Sequence, residues 1–374
     1  MGSDQAPCSL TRIGLKIYSS REYLAAGARH VLPLYPFWGL PADPAWPREG
    51  FADDFIARGP EFLELVDLPD ADLAIFPQDW KWARLAEGGE ERIAGFVDRA
   101  RGLGKPVAFF WASDRPGPTA RDGTLVFQPS LYRSRRGERD FAVPGFHEDL
   151  VALYGDGSLR LREKHDRPTI SFCGFAPAPP EPHGVTGRLR RGLGDVKRRR
   201  AIARGTPLPE DIYVRLQAIE ALSTQRDVDT AIVMREDYNG GVPAPTLDLD
   251  RWLERRAEYV ENIVESDYVL CARGTGNYSI RLSEALCLGR IPVFVDTDCV
   301  LPYDFTIDWP SHGVWLDRRS VGRIGELVAR FHSQLSDDEF VELQRRNRSL
   351  WEDYLSPTGF FSKLHLHLEP APIP

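Results

Sequence analysis

The stretch whose reading decides the fold is Ser266-Asp-Tyr-Val-Leu-Cys-Ala-Arg-Gly-Thr-Gly-Asn-Tyr-Ser-Ile-Arg-Leu-Ser-Glu-Ala-Leu-Cys-Leu-Gly-Arg-Ile-Pro-Val293. The apolar run Tyr268–Cys271 reads as a buried strand, Arg273 to Asn277 as a glycine-containing loop, and Ser279–Leu288 as a helix that Asn277 or Ser279 caps. A strand that hands over to a helix in this way presents unpaired backbone N–H groups and the positive end of a helix dipole, which together favour an anion. Gly274 and Gly276 allow the main chain to approach a diphosphate closely. Arg273 and Arg281 supply charge-assisted hydrogen bonds to phosphate oxygens. Further along the helix, Glu284 can accept hydrogen bonds from two ribose hydroxyls; its plain alternative is a surface pair with Arg281 at i, i+3. The loop is neither G-x-G-x-x-G nor a Walker loop, so no standard motif decides the matter.

Outward from this unit the chain alternates strands and helices, the pattern of an α/β fold. In the second half the expected strands are Thr169–Phe172, Ala231–Met234, Tyr268–Cys271, Ile291–Val295 and Gly313–Leu316. Helical patterns lie at Val185–Arg204, Asp211–Leu222, Leu249–Val264 and Ser279–Leu288. In the first half the expected strands are Ile13–Tyr18, Leu73–Phe76, Val107–Trp111 and Thr124–Phe127, with a crossover helix Glu90–Leu103 that implies parallel pairing. Pro33–Pro47 reads as a loop at the mouth of a cleft. The expected organisation is a Rossmann-like domain over 1–165, a second over 166–340, and a helical tail over 341–374 that packs back on the first.

The chain has 374 residues, 42% of them hydrophobic and 27% charged, as in globular proteins, and its net charge of -8 argues against a nucleic-acid partner. No apolar run approaches the ~18 residues of a membrane span, and Met1 to Leu10 lacks a secretory pattern. The five cysteines show no metal spacing and read as buried thiols of a reducing compartment. A cytoplasmic enzyme is expected, with a Golgi-lumen enzyme trimmed of its anchor as the alternative.

The segment from Tyr268 to Trp309 resembles the exostosin family of glycosyltransferases. The residues that carry the resemblance are Arg273-Gly274, Ser279-x-Arg281-Leu-x-Glu284-Ala285-Leu286, Gly289-x-Ile291-Pro292-Val293, Leu301-Pro302-Tyr303 and Ile307-Asp308-Trp309. Upstream, Ala71 to Pro77, Lys105 to Asp114 and Arg167 to Gly174 are similar to the family's N-terminal and interdomain strands. The resemblance implies a GT-B architecture of two Rossmann-like domains facing one cleft, an inverting mechanism and a nucleoside-diphosphate sugar, usually UDP-linked. It implies that Glu284 sits on the donor ribose and that Arg273, Ser279 and Arg281 lie near the diphosphate. The family often has Cys at Arg290 and Phe at Tyr303, departures that bear on sugar choice.

Other features are read beside it. Asp296-Thr-Asp298 matches the D-x-D pattern of metal-dependent transferases, yet its place after a Rossmann strand favours a cleft-lining loop, with Asp298 on the donor sugar and no metal. In the basic run Arg188 to Arg200, Arg188 or Arg190 could face the diphosphate after the Gly174 turn; otherwise the run is a solvated helix face. An inverting transfer needs a base from the first half, and Asp114 is the first candidate, with Asp79 and His147 as rivals. Trp80, Trp82 and Trp111 are core aromatics or a sugar-stacking surface, and His365-x-His367 reads as tail surface. The expectation is thus a transferase that moves a sugar from a UDP-sugar to a saccharide acceptor without a cofactor. Gly174, Arg188, Arg273, Gly274, Asn277, Ser279, Arg281, Glu284 and Asp298 form its donor site. Its rivals are a nucleotide-sugar epimerase or hydrolase on the same fold, and a non-catalytic nucleotide-sugar-binding subunit.

Overall fold

The computed structural model describes residues 14–41, 50–121, 123–176, 213–236 and 249–368. Two parallel sheets organise it. The first contains β1 (Leu15–Tyr18), β2 (Leu63–Leu65), β3 (Leu73–Ile75), β4 (Val107–Phe110), β5 (Thr124–Gln128) and β6 (Asp140–Ala142) in the order β2-β1-β3-β4-β5-β6. The second contains β7 (Thr169–Phe175), β8 (Asp229–Arg235), β9 (Tyr268–Cys271), β10 (Ile291–Asp296) and β11 (Val314–Asp317) in the order β11-β10-β9-β7-β8. Every strand pair is parallel. Each sheet therefore starts at its centre, adds one strand to one side and then reverses, the doubly wound order of Rossmann-like α/β proteins. This is the two-sheet arrangement expected of a GT-B protein. The strands β2 and β6 escape a search for periodicity because each is only three residues long and carries a charge, Glu64 or Asp140.

The helices that bear on the site and the tail are α1 (Gly89–Gly102), α2 (Tyr213–Ser223), α3 (Leu249–Val264), α4 (Ile280–Cys287), α5 (Ile324–Gln334), α6 (Asp337–Leu350) and α7 (Pro357–Ser362). Within the stretch read as a cleft-mouth loop, Leu32–Leu34 and Tyr35–Trp38 are instead short helical turns, because Pro33 and Pro36 pre-set a helical φ at a first turn. Ser336 and Glu339 close a capping box that starts α6. After one π turn, α7 lies on the first sheet's side: Thr358 Oγ1 donates to Asp54 Oδ2 at 2.5 Å, and Phe361 stacks on Phe55 with centroids 4.9 Å apart.

The largest apolar cluster runs through both halves, from Leu15, Phe127 and Phe141 to Leu282, Trp309, Trp351 and Phe360. A second covers the outer face of the C-terminal sheet and a third that of the N-terminal sheet. His367, read from sequence as tail surface, is buried at 3% exposure among Phe127, Phe141, Tyr303 and Phe360. The alternation His365-Leu-His367 misleads because the segment is a single 3-10 turn, which leaves His365 outside and turns His367 inward.

Candidate functional site

In a doubly wound sheet the strand order reverses between two central strands, and the crevice beyond their carboxyl ends holds ligands. In the C-terminal sheet these strands are β7 and β9. The cleft opens there, with a volume of about 550 Å³. The ends of β7 and β8 contribute Gly174, Phe175 and Arg235; the loop after β9 contributes Gly274 to Gly276 and Tyr278; α3 contributes Arg256 and Tyr259; α4 contributes Arg281 and Glu284. The opposite wall comes from the N-terminal half through Asp114, Phe146, His147 and Glu148.

Ser279 is the N-cap residue of α4, in extended conformation and with no side-chain capping bond, so the helix N-terminus faces the cleft without a side chain across it. Arg281 is buried at 8% exposure. Its guanidinium lies 4.3 Å from the Phe172 ring centroid, and Nη2 donates to the Cys173 carbonyl at 2.8 Å. Its Nε has no partner, and it makes no ion pair among the described residues. Glu284 acts on Arg281 from beyond ion-pair distance, and the unpartnered buried N–H is left able to take an anion that arrives from outside. Gly174 makes the approach possible: its φ is +150°, and a Cβ there would lie 2.9 Å from Arg281 Nη2. Arg215 of α2 is a second buried arginine at the cleft, with Nη1 on Phe175 O at 2.8 Å and Nη2 on Ala272 O at 3.2 Å. Sequence reasoning missed it. The available signal is a cation inside the apolar run Val214, Ala218, Ile219 and Leu222 of a buried helix face.

Glu284 is buried at 3% exposure and lines the cleft. Arg256 Nη1 donates to its Oε1 at 2.7 Å, and the Tyr259 hydroxyl donates to Oε2. Burial raises its pKa, but the Arg256 guanidinium and the Tyr259 hydroxyl overcome this and hold it near about 2. It is therefore a fixed anion, with lone pairs beyond the two already used. Arg256 also donates to Glu148 of the N-terminal half at 2.8 Å, so one cation bridges the two walls. Neither Arg256 nor Glu148 was singled out from sequence; packing alone brings them to Glu284.

The other expected residues separate. Arg273, Asn277 and Asp298 are off the cleft wall, in a polar seam between the halves. Arg273 Nη1 donates to the Tyr132 hydroxyl at 2.9 Å and to Asn277 Oδ1 at 3.1 Å. Asn277 Nδ2 donates to the carbonyls of Leu131 and Asp298. The Asp298 carboxylate accepts from the Ser134 hydroxyl at 2.5 Å, and Asp296 pairs with Arg133 at 3.0 Å. Among the described residues no group of three His, Cys, Asp or Glu side chains is placed to hold a metal. Of the base candidates, Asp114 is exposed at the cleft. Asp79 caps a helical turn through Trp82 N and also accepts from Ala112 N. Buried His147 donates from Nδ1 to Glu148 O and accepts from Trp351 Nε1–H, and burial lowers its pKa. The cysteines Cys173, Cys271, Cys287 and Cys299 are buried thiols. Arg188, the rest of its basic run and Cys8 lie outside the described residues.

The chain is 33% identical over 115 residues to a probable glucuronosyltransferase of Oryza sativa subsp. japonica, covering 30% of this chain and 25% of that protein. It is 30% identical over 99 residues to exostosin-1 of Drosophila melanogaster, covering 26% of this chain and 12% of that protein. Over these stretches the chain is similar to exostosin-like glycosyltransferases. The matched stretches thus span a quarter or less of these two relatives' lengths. No family model matches the chain. A glycosyltransferase from Rickettsia africae superposes on 88% of this chain and 84% of its own with a TM-score of 0.34 and 10% identity.

Proposed function

We propose that this chain is an inverting glycosyltransferase that moves a sugar from a nucleoside diphosphate, most simply UDP, to a hydroxyl of a saccharide acceptor. The observation that carries the proposal is Arg281, a buried guanidinium with an unpartnered Nε, placed at a helix N-terminus beside the fixed carboxylate of Glu284. An exostosin-like relationship gives that pair its chemical meaning: diphosphate on Arg281, Arg215 and the N-terminus of α4, ribose on Glu284. Names such as glucuronosyltransferase and xylosyltransferase among the relatives agree with a sugar donor.

In the reaction, Asp114 takes the proton of the acceptor hydroxyl, whose oxygen bonds to the anomeric carbon from the face opposite the diphosphate. The bond from that carbon to the phosphate oxygen breaks, and its electron pair leaves on the diphosphate. The arginines and the helix dipole stabilise that charge, and we propose that they do so without a metal. The proposal is tested by thermal shift with UDP, GDP, CMP and dTDP, each with and without EDTA, and by UDP release from UDP-glucose, UDP-glucuronate, UDP-xylose and UDP-N-acetylglucosamine. Stabilisation by UDP that EDTA leaves unchanged, with UDP released from one sugar donor, is expected. No stabilisation by any of the four nucleotides at millimolar concentration would reject the donor site, and loss of activity in EDTA restored by Mn²⁺ would reject the metal-free chemistry.

A further inference from the structure

In the loop after β9, Tyr278 touches the opposite wall of the cleft. Tyr278 is half-buried, and its hydroxyl donates to Asp114 Oδ1 at 2.8 Å. Asp114 Oδ2 has no protein partner among the described residues, and Asp114 itself lines the cleft. The contact is built from both sides. A Cβ at Gly276 would lie 2.5 Å from Tyr278 Cε1 and 3.1 Å from the Asp114 carbonyl oxygen, so glycine there serves the packing of the ring and of the Asp114 backbone. On the other side, Trp111 Nε1–H donates to Arg115 O at 2.8 Å and Gly117 N–H to Gln128 Oε1 at 2.7 Å, which brace the loop that carries Asp114.

We infer that Tyr278 is a positioning residue for transfer: it orients the Asp114 carboxylate, using one oxygen so that the other faces the acceptor hydroxyl. This rests on the reading of Asp114 as the base. The physical reason is geometric. An exposed aspartate on a loop samples several rotamers, and a charge-assisted hydrogen bond from a side chain anchored in the other half selects one of them. Because Tyr278 belongs to the loop that frames the donor cleft, the base is aligned from the donor side. In the transfer the acceptor proton passes to Asp114 Oδ2, while the phenolic proton stays on Tyr278.

The test uses the whole chain with Tyr278→Phe, Asp114→Asn and the double variant, read by UDP release from the UDP-sugar that the wild type uses and by UDP affinity. Tyr278→Phe is expected to lower kcat about tenfold, the loss of one hydrogen bond to a charged group, while donor KM and UDP Kd stay within about twofold. Asp114→Asn is expected to lower kcat by about 100-fold or more. Adding Tyr278→Phe to Asp114→Asn is then expected to change nothing further, because the phenol acts only through that carboxylate. Gly276→Ala, which displaces the Tyr278 ring, is expected to reproduce the kcat loss. An equal loss from Tyr278→Phe in both backgrounds, or a parallel rise in UDP Kd, would overturn the positioning role. So would a Tyr278→Phe enzyme with wild-type kcat. Full activity in Asp114→Asn would instead overturn the base assignment on which the inference rests.

Discussion

The segment from Tyr268 to Trp309 divides into two regions with opposite electrostatics. In the first, Arg281 and Glu284 face the cleft; Arg281 has no ion pair among the described residues, and Glu284 is a carboxylate held ionised near about 2. In the second, Asp296 to Asp304 turn toward the N-terminal half: Asp296 pairs with Arg133 at 3.0 Å and Asp304 with Arg136 at 2.6 Å, and Asp298 accepts from the Ser134 hydroxyl. A backbone bridge between Tyr132 and Cys299 closes this seam. Charged residues close together in sequence thus do different work. A buried N–H left without a partner, as on Arg281, marks a place where a ligand completes the structure, while charges paired across the two halves away from the cleft mark a joint.

The largest expected effect separates the regions by pH. His367 packs against Tyr303 and Phe305 of the seam, and burial lowers its pKa from 6.5 to about 3. The unfolded chain binds this proton at higher pH than the folded chain does. Stability is therefore full above pH 6.5 and falls as the pH drops toward 3, by about 5 kcal/mol at the limit. Urea unfolding at pH 7.5 and 4.5 checks this; His367→Leu is expected to flatten that part of the profile, and an unchanged slope would contradict it. The corresponding loss for Glu284, whose pKa falls from 4.5 to about 2, belongs to the more acid window between those values.

The second effect breaks the cleft region itself. Glu284→Ala removes the counter-charge that Arg256 and Tyr259 share. It is expected to lower stability by about 1–3 kcal/mol, the cost of removing an acceptor from buried donors while Glu148 still pairs with Arg256, and to abolish UDP binding. A fully stable variant would show that the pair is not a stabilising one. A milder change sharpens the contrast. Among the described residues Arg281→Leu removes one hydrogen bond to protein, at Cys173 O, and keeps an apolar side chain against the Phe172 ring, so its stability loss is expected to be small. UDP affinity is expected to fall about 10- to 100-fold, as for a lost charge-assisted hydrogen bond of about 1.5–3 kcal/mol. The smallest effect comes from the seam. Asp298→Ala loses bonds to Ser134 in an exposed setting, and about 1 kcal/mol of stability with unchanged UDP affinity is expected in calorimetry. A rise in Kd there would return Asp298 to the donor site.

The fold was legible where periodicity is long enough to register. The strand–loop–helix unit around β9 and α4, and the alternation on either side of it, appear in the sequence because each element buries a continuous apolar face. What was not legible depends on packing between distant segments. Arg215 and Arg256 reach the cleft from α2 and α3, and nothing in their local sequence points toward Glu284. The same limit applies to two departures from the exostosin pattern, Arg290 and Tyr303, which the sequence comparison ties to sugar choice. Arg290 is buried and braces Val264 O, Arg160 O and Gln344 Oε1; Tyr303 donates to Phe360 O at 2.6 Å in the seam. Neither lines the cleft. Both tie the C-terminal helices to the rest of the chain.

The most direct test of the central claim is isothermal titration of UDP, in EDTA, into the wild type, Arg281→Leu and Asp298→Ala. The account predicts binding to the wild type, an unchanged Kd for Asp298→Ala and a Kd about 10- to 100-fold higher for Arg281→Leu with its fold intact. Equal UDP affinity in the wild type and Arg281→Leu would contradict it, because the buried guanidinium at the head of α4 would then have no part in holding the diphosphate.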